Sequence, residues 1–454
     1  MQKRLIVLAV ATTFSVPSIV YAANDLPILS TPKETGITIN GNVNVEYYAV
    51  KIRQSTASGG GGSDLNNRYQ TAIGDPTFFS RWGINFREDL GNGLAAIGKI
   101  DFAISTGAGV ADVAREQWVG LTSNSWGTVN IGSVNAPFKV FAGGASVDRF
   151  IGTELELRGA GGAQYSPSNG FGTAAFVDHA FNYTSPVWSG FSVGLLVAPS
   201  NASQADATTA LSVQRNGNTG GKGNGVDYQV AVKYNIPQYG DVFAGYSNDS
   251  ATDNQRAQGL INGKLADDET VWRIGANLKF GDFGVYGQYD HISNALNTFS
   301  SAAAATTPAS TTVYSGNGGA GCAGGSAAGS GGDAGSSTQQ CNNALNVNGD
   351  GNIWNLGVSY ALGKTLLVVQ GGKTTADAVN QANERTAKNI TVGAIYSLSK
   401  RTRVHVGYQH VSISGAHTVS QIAEAGVGFT GAATPVLSEQ PNRSVFSMGM
   451  RHTF

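Results

Sequence analysis

The pentapeptide Gly190-Phe-Ser-Val-Gly194 has the spacing of a nucleophile elbow, in which a serine on a sharp strand-to-helix turn attacks an acyl carbon. Such a serine needs a helix behind it, together with histidine and acid partners. The residues after Gly190 read as strand, so the pentapeptide is expected to be structural. Leu362-Gly-Lys-Thr365 ends like a phosphate loop, but Gly357 stands one residue too far upstream and a strand follows where a helix is required. Asn346-Val-Asn-Gly-Asp-Gly351 begins like a calcium loop, yet its twelfth position is Gly357 and not the bidentate glutamate, so calcium binding near Asp350 would be weak. The six histidines show no metal-ligand spacing. No catalytic centre, metal or cofactor is expected.

What remains is charge set in alternation with apolar residues. Arg81, Asn85 and Arg87 alternate with Trp82, Ile84 and Phe86, and Lys99 and Asp101 alternate with Ile100, Phe102 and Ile104. An arginine facing lipid at mid-depth costs about 2–4 kcal/mol, so if these are membrane strands their cations face an aqueous interior. Arg115 is expected to share its phase with Gln117 and to oppose Trp118, which throws Glu116 outward, to a rim or a subunit contact. Charged groups lining a water-filled passage set ion preference.

The elements that must position these residues are short strands. Ile37 to Val50 alternates apolar and polar residues with period 2, and similar segments follow near 77–90, 93–106, 112–124, 127–134, 175–186, 190–200 and 226–235. Others lie near 240–250, 268–281, 282–294, 352–363, 365–377, 385–400, 402–414 and 443–454, which makes an even number of strands, as single-chain bacterial barrels have. Short turns, such as Leu90-Gly-Asn-Gly93 and Phe280-Gly-Asp282, alternate with long connections rich in Gly, Ala, Ser and Asn. That sorting is the plan of an outer-membrane barrel, with periplasmic turns and external loops. The expected fold is all-β, a 16-stranded antiparallel transmembrane β-barrel.

Composition agrees. Glycine accounts for 62 of 454 residues and only 13% of residues are charged, about half the usual share. Lys3 and Arg4, a short apolar run and Val20-Tyr-Ala22 read as a secretory signal peptide over residues 1–22, leaving 23–454 as a single barrel domain. Without Lys3 and Arg4 the net charge is about −3, which argues against a nucleic-acid partner.

Several segments resemble the Gram-negative general porins of the neisserial and β-proteobacterial type. Arg81-Trp-Gly-Ile-Asn-Phe-Arg-Glu-Asp-Leu-Gly-Asn-Gly-Leu94 is similar to that family's second strand and first turn. Arg115-Glu-Gln-Trp-Val-Gly-Leu121 and Trp126-Gly-Thr-Val-Asn-Ile-Gly132 resemble its fourth and fifth strands. Tyr396-Ser-Leu-Ser-Lys-Arg-Thr402 and Met450-Arg-His-Thr-Phe454 resemble its last turn and terminus. The resemblance implies a trimer in the Gram-negative outer membrane, passing ions and small hydrophilic solutes by diffusion. It also implies a third external loop, about 134–163, folded inward as a constriction. Its Asp148, Glu154 and Glu156 would then face the wall cations Arg81 and Arg115, with Lys99 and Arg87 as further members. No arginine stands at the family's third wall position, where Asp178 and His179 are the nearest titratable groups. Expected partners are outer-membrane lipid and lipopolysaccharide, and the barrel-assembly machinery through the last strand ending in Phe454.

A second long external loop, about 295–351, holds Cys322 and Cys341. An exported location permits a disulfide between them, and closing a loop of about 20 residues would restrict it by roughly 3 kcal/mol. Two unpaired thiols are the alternative.

Overall fold

The computed structural model describes residues 34–53, 68–75, 79–104, 106, 113–157, 176–199, 226–250, 267–294, 350–376, 385–414 and 442–454. The expected signal peptide, most of the long loop and both cysteines lie outside the described residues.

Among the described residues, seventeen strands make one sheet. They are β1 (Gly36–Arg53), β2 (Arg68–Gly74), β3 (Arg81–Gly91), β4 (Leu94–Ala103), β5 (Val113–Ser123), β6 (Gly127–Asn135), β7 (Phe176–Thr184), β8 (Phe191–Pro199) and β9 (Val226–Ile236). After these come β10 (Gly240–Asp249), β11 (Glu269–Phe280), β12 (Phe283–Ser293), β13 (Gly351–Leu362), β14 (Thr365–Ala376), β15 (Arg385–Ser397), β16 (Thr402–Ser414) and β17 (Asn442–Thr453). From β3 onward each strand pairs antiparallel with the next, and β17 pairs back onto β1 from Asn42↔Thr453 to Arg53↔Asn442. The sheet is therefore closed.

The alternation pattern places the second strand near 77–90, but the structure starts it earlier and breaks it. β2 and β3 both pair with β1, at Glu46–Ile52 and Gly36–Asn42, so together they form one barrel strand whose ladder stops at Gly74 and resumes at Arg81. The barrel thus has sixteen strands. The Asp75 side chain accepts the Ser80 N–H at 2.5 Å and the Ser80 hydroxyl accepts the Asn44 N–H at 2.8 Å, which replaces ladder bonds lost at the break. The break also hides the alternation, because Pro76 cannot continue a ladder.

The faces are inverted relative to a water-soluble sheet. Ile37, Ile39, Leu356, Val369, Ile390 and Met448 are exposed, while Asn42, Asn44, Asp101, Asp290 and Gln409 on the opposite phase are fully buried. Hydrocarbon accepts the first set, and only a polar interior can accept the second. Exposed aromatics form two girdles. Trp126, Trp188, Tyr239, Phe280, Phe283 and Tyr360 lie near the short turns, and Tyr228, Tyr246, Trp272 and Trp354 lie near the long connections. The expected short turns at Leu90–Gly93 and Phe280–Asp282 join neighbouring strands, β3 to β4 and β11 to β12.

Candidate functional site

β6 runs to Asn135, and the chain then leaves the wall as a short helix, α1 (Pro137–Val140), and a 3-10 turn at Gly144–Val147. From Ala136 to Leu157 the backbone is held by side chains of the inward phase. Arg273 on β11 donates to the carbonyls of Phe138 and Ala142, and Gln229 and Gln288 accept the N–H groups of Phe138 and Gly144. Gln370 accepts from Arg149 N–H and donates to Asp148 at 2.6 Å. Gln409 donates to the carbonyls of Leu155 and Glu156, Asn389 to Leu157, Asn44 to Gly152, and Arg451 to Ile151 and Gly152. An amide side chain offers both a donor and an acceptor, so it can hold an irregular backbone whose own groups lack ladder partners.

The three loop acids brace this segment. Asp148 accepts the N–H groups of Phe150 and Leu157, and Glu156 accepts that of Gly152. Glu154 pairs with Arg443 of β17 at 2.5 Å, while its own N–H donates to both oxygens of Glu46. Gly152 has φ +74, and a Cβ there would lie 2.3 Å from the Phe79 ring. At Gly407 a Cβ would lie 2.7 Å from Leu155, so the loop lies against bare strand.

The wall cations stand on β3, β4 and β5. The sequence pattern sends Glu116 outward and sets Gln117 on the inner phase; the structure reverses both. Ile100 pairs with Gln117 but Phe102 pairs with Ala114, so Arg115 and Glu116 both oppose Asp101 in a β-bulge. The extra residue resets the phase. Arg115 and Glu116 are both buried, whereas Gln117, Val119 and Leu121 are exposed. Glu116 now accepts from Lys99, and also from the Trp118 ring N–H at 3.2 Å. Lys99 and Arg115 each lie 3.9 Å from Asp101. The Arg81 guanidinium lies 5.2 Å from the Phe79 ring centroid, and that of Arg451 lies 4.1 Å from it. Arg87 is half-buried six residues along β3, roughly 20 Å from Arg81 and towards the short-turn end.

Other expectations resolve simply. Ser192 of the elbow-like pentapeptide sits within β8, with no helix behind it among the described residues. A Ser/His/acid group that the sequence did not reveal is formed by Ser447, His405 and Glu46. Ser447 donates directly to Glu46 at 2.5 Å, and both oxygens meet the same histidine nitrogen at 3.3 Å. A catalytic triad needs serine and acid on opposite ring nitrogens. This group instead orients the carboxylate that holds Glu154.

Residues 6–416 match the family model described as Gram-negative porin. The chain is 28% identical over 196 residues to an outer membrane porin protein of Bordetella pertussis, covering 39% of this chain and 46% of that protein. It is 28% identical over 182 residues to the major outer membrane protein P.IB of Neisseria gonorrhoeae, covering 37% and 42% respectively. The match thus spans under half the length of these curated relatives. Among solved structures, the anion-selective porin from Comamonas acidovorans shares the fold, with TM-score 0.58 at 19% identity over 93% of this chain and 100% of that one. OmpF of Salmonella typhi, in complex with daunomycin, gives TM-score 0.53 at 14% identity over 92% and 98%. A trimer form of OmpT from Vibrio cholerae gives 0.50 at 14% over 93% and 100%. With a closed barrel that is apolar outside and polar within, and a family match across most of its length, the chain belongs to the Gram-negative porins, β-barrels of the outer membrane.

Proposed function

We propose that the protein is a passive channel for ions and small hydrophilic solutes, with no enzymatic activity. The observation that carries this reading is the Ala136–Leu157 segment, bonded by its backbone to inward side chains of β1, β9, β11, β12 and β14–β17. We take it as the inward-folded third loop, with the aqueous path running between it and the wall of β3–β5. A sixteen-stranded barrel is wide enough to leave such a path.

The eyelet cations in this reading are Arg81, Lys99 and Arg115, and Arg87 widens the positive field towards the periplasmic end. Asp148, Glu154 and Glu156 act as struts of the loop. The acids set against the cations are Asp101 and Glu116, on the cations' own side of the pore. Three cations against two acids leave a small positive excess, so the expected preference is mildly for anions. The chain is read as residues 1–22 of signal peptide and one barrel domain, assembled as a homotrimer; a trimer form of a structural neighbour agrees with this.

Planar-bilayer recording of the purified protein under a salt gradient tests the reading. Stepwise ohmic conductance with a reversal potential of anionic sign is expected. Folded protein that inserts and passes no current would overturn the channel.

A further inference from the structure

Strands β14 to β17 carry Lys373, Lys388, Arg403, Arg443 and Arg451 among their described side chains and contain no Asp or Glu. Two of these cations point outward. Lys373 follows Leu367, Val369 and Gly371 on the exposed phase of β14, and Lys388 precedes Ile390 and Val392 on that of β15. The register sets Lys373 directly opposite Lys388. Like charges directly opposite on one sheet face destabilise it, so the pair calls for a compensating anion.

Depth identifies that anion's source. Trp354, 44% exposed, is the cross-strand neighbour of Lys373 and belongs to the girdle near the long connections. Six residues further along, about 20 Å at strand rise, Tyr360 belongs to the other girdle. On β14 itself nine residues, Thr365 to Lys373, run from the short turn to the lysine, within the 9–11 that a strand tilted about 45° takes to cross the hydrocarbon. The lysines therefore stand at headgroup level on the rim of the long connections. Below them Gly371 leaves a shallow slot between exposed Leu356 and Ile390. Beside them stands His410, its ring bonded to the Ser444 hydroxyl at 3.0 Å.

We infer that Lys373 and Lys388 hold the phosphate of a phosphorylated glycolipid in the outer leaflet, whose acyl chains descend along Leu356, Val369 and Ile390. The ammonium groups act as two point charges on one phosphate. This rests on the outer-membrane reading, with the long connections external.

The test is native mass spectrometry of the folded full-length protein with diphosphoryl lipid A and with the same lipid dephosphorylated. A headgroup contact is worth about fivefold in affinity per lysine, so Lys373→Gln/Lys388→Gln should bind the phosphorylated lipid about 30-fold more weakly. The dephosphorylated lipid should bind both proteins alike, and Lys373→Arg/Lys388→Arg should restore binding. Equal loss on Lys364→Gln/Lys400→Gln, at the opposite rim, would overturn the inference. So would unchanged binding in the Lys373/Lys388 variant, or dissociation of that variant's oligomer, which would make the pair a subunit contact. Single-channel conductance of the same samples keeps the two readings apart. Current without lipid discrimination removes the lipid site alone, and absence of current removes the channel.

Discussion

Two parts of the inner wall do different work. From β9 round to β17 and β1 the inward side chains that meet the loop are largely amides and guanidinium groups bonded to backbone. On β3–β5 they are cations and acids bonded to one another. A neutral amide holds an irregular segment without placing net charge beside it, and Arg273 and Arg443 carry acid partners of their own, Asp290 and Glu154. On the proposed reading the contrast separates shape from selectivity, and each half can be broken alone.

The largest effect is expected where the holding wall uses a charge. Arg443→Ala leaves Glu154 buried without its ion-pair partner, which costs about 3 kcal/mol. Thermal unfolding should fall, and single-channel conductance should rise as the loop lifts; unchanged conductance would place the loop's support elsewhere. Gly152→Ala forces a Cβ into the Phe79 ring at positive φ, at about 1–2 kcal/mol for the backbone alone. Flickering current and a lower midpoint are expected, while an unaltered trace would mean the loop accommodates a methyl group. Gln409→Ala strips two loop carbonyls of a donor, worth about 1 kcal/mol, and should leave the reversal potential unmoved.

The selecting wall should respond in the opposite way. In water a unit charge about 8 Å from a passing ion is worth about 0.5 kcal/mol, roughly twofold in occupancy. Arg115→Gln should therefore shift the permeability ratio about twofold towards cations. Glu116→Gln should move it by a similar factor towards anions. Equal shifts of the same sign from the two variants would break the division between the walls.

The strands were legible because a lipid face and a polar lumen impose strict alternation. Trp82 against Arg81 and Ile100 against Asp101 could be read directly. Glu116 could not, since one extra residue at a bulge inverts every later assignment on β5 without leaving a mark in composition. β2 was missed because the interruption after Asp75 cuts off a seven-residue piece, Arg68–Gly74, too short to show a period. Gln229, Gln288, Gln370 and Gln409 lay on the inner phase throughout, but a glutamine in a strand looks the same whether it meets water or a loop. Only the path of residues 136–157 distinguishes them. The acids of that loop were read as facing the wall cations, and its backbone needed them first.

The seam also governs when the barrel can be finished. The pairings across short turns are local hairpins, formed by neighbours in sequence. The join of Asn42 to Thr453, with Gly41 exchanging backbone bonds with Phe454, links opposite ends of the barrel domain. Hairpins can therefore accumulate one after another, while β1, the first strand in the chain, must wait for the last. Contacts of such long range carry the full entropy of loop closure and are the slow ones to form. Closure of this seam is the expected rate-determining event of folding, so a variant weakened there would collect as an open, unsealed sheet.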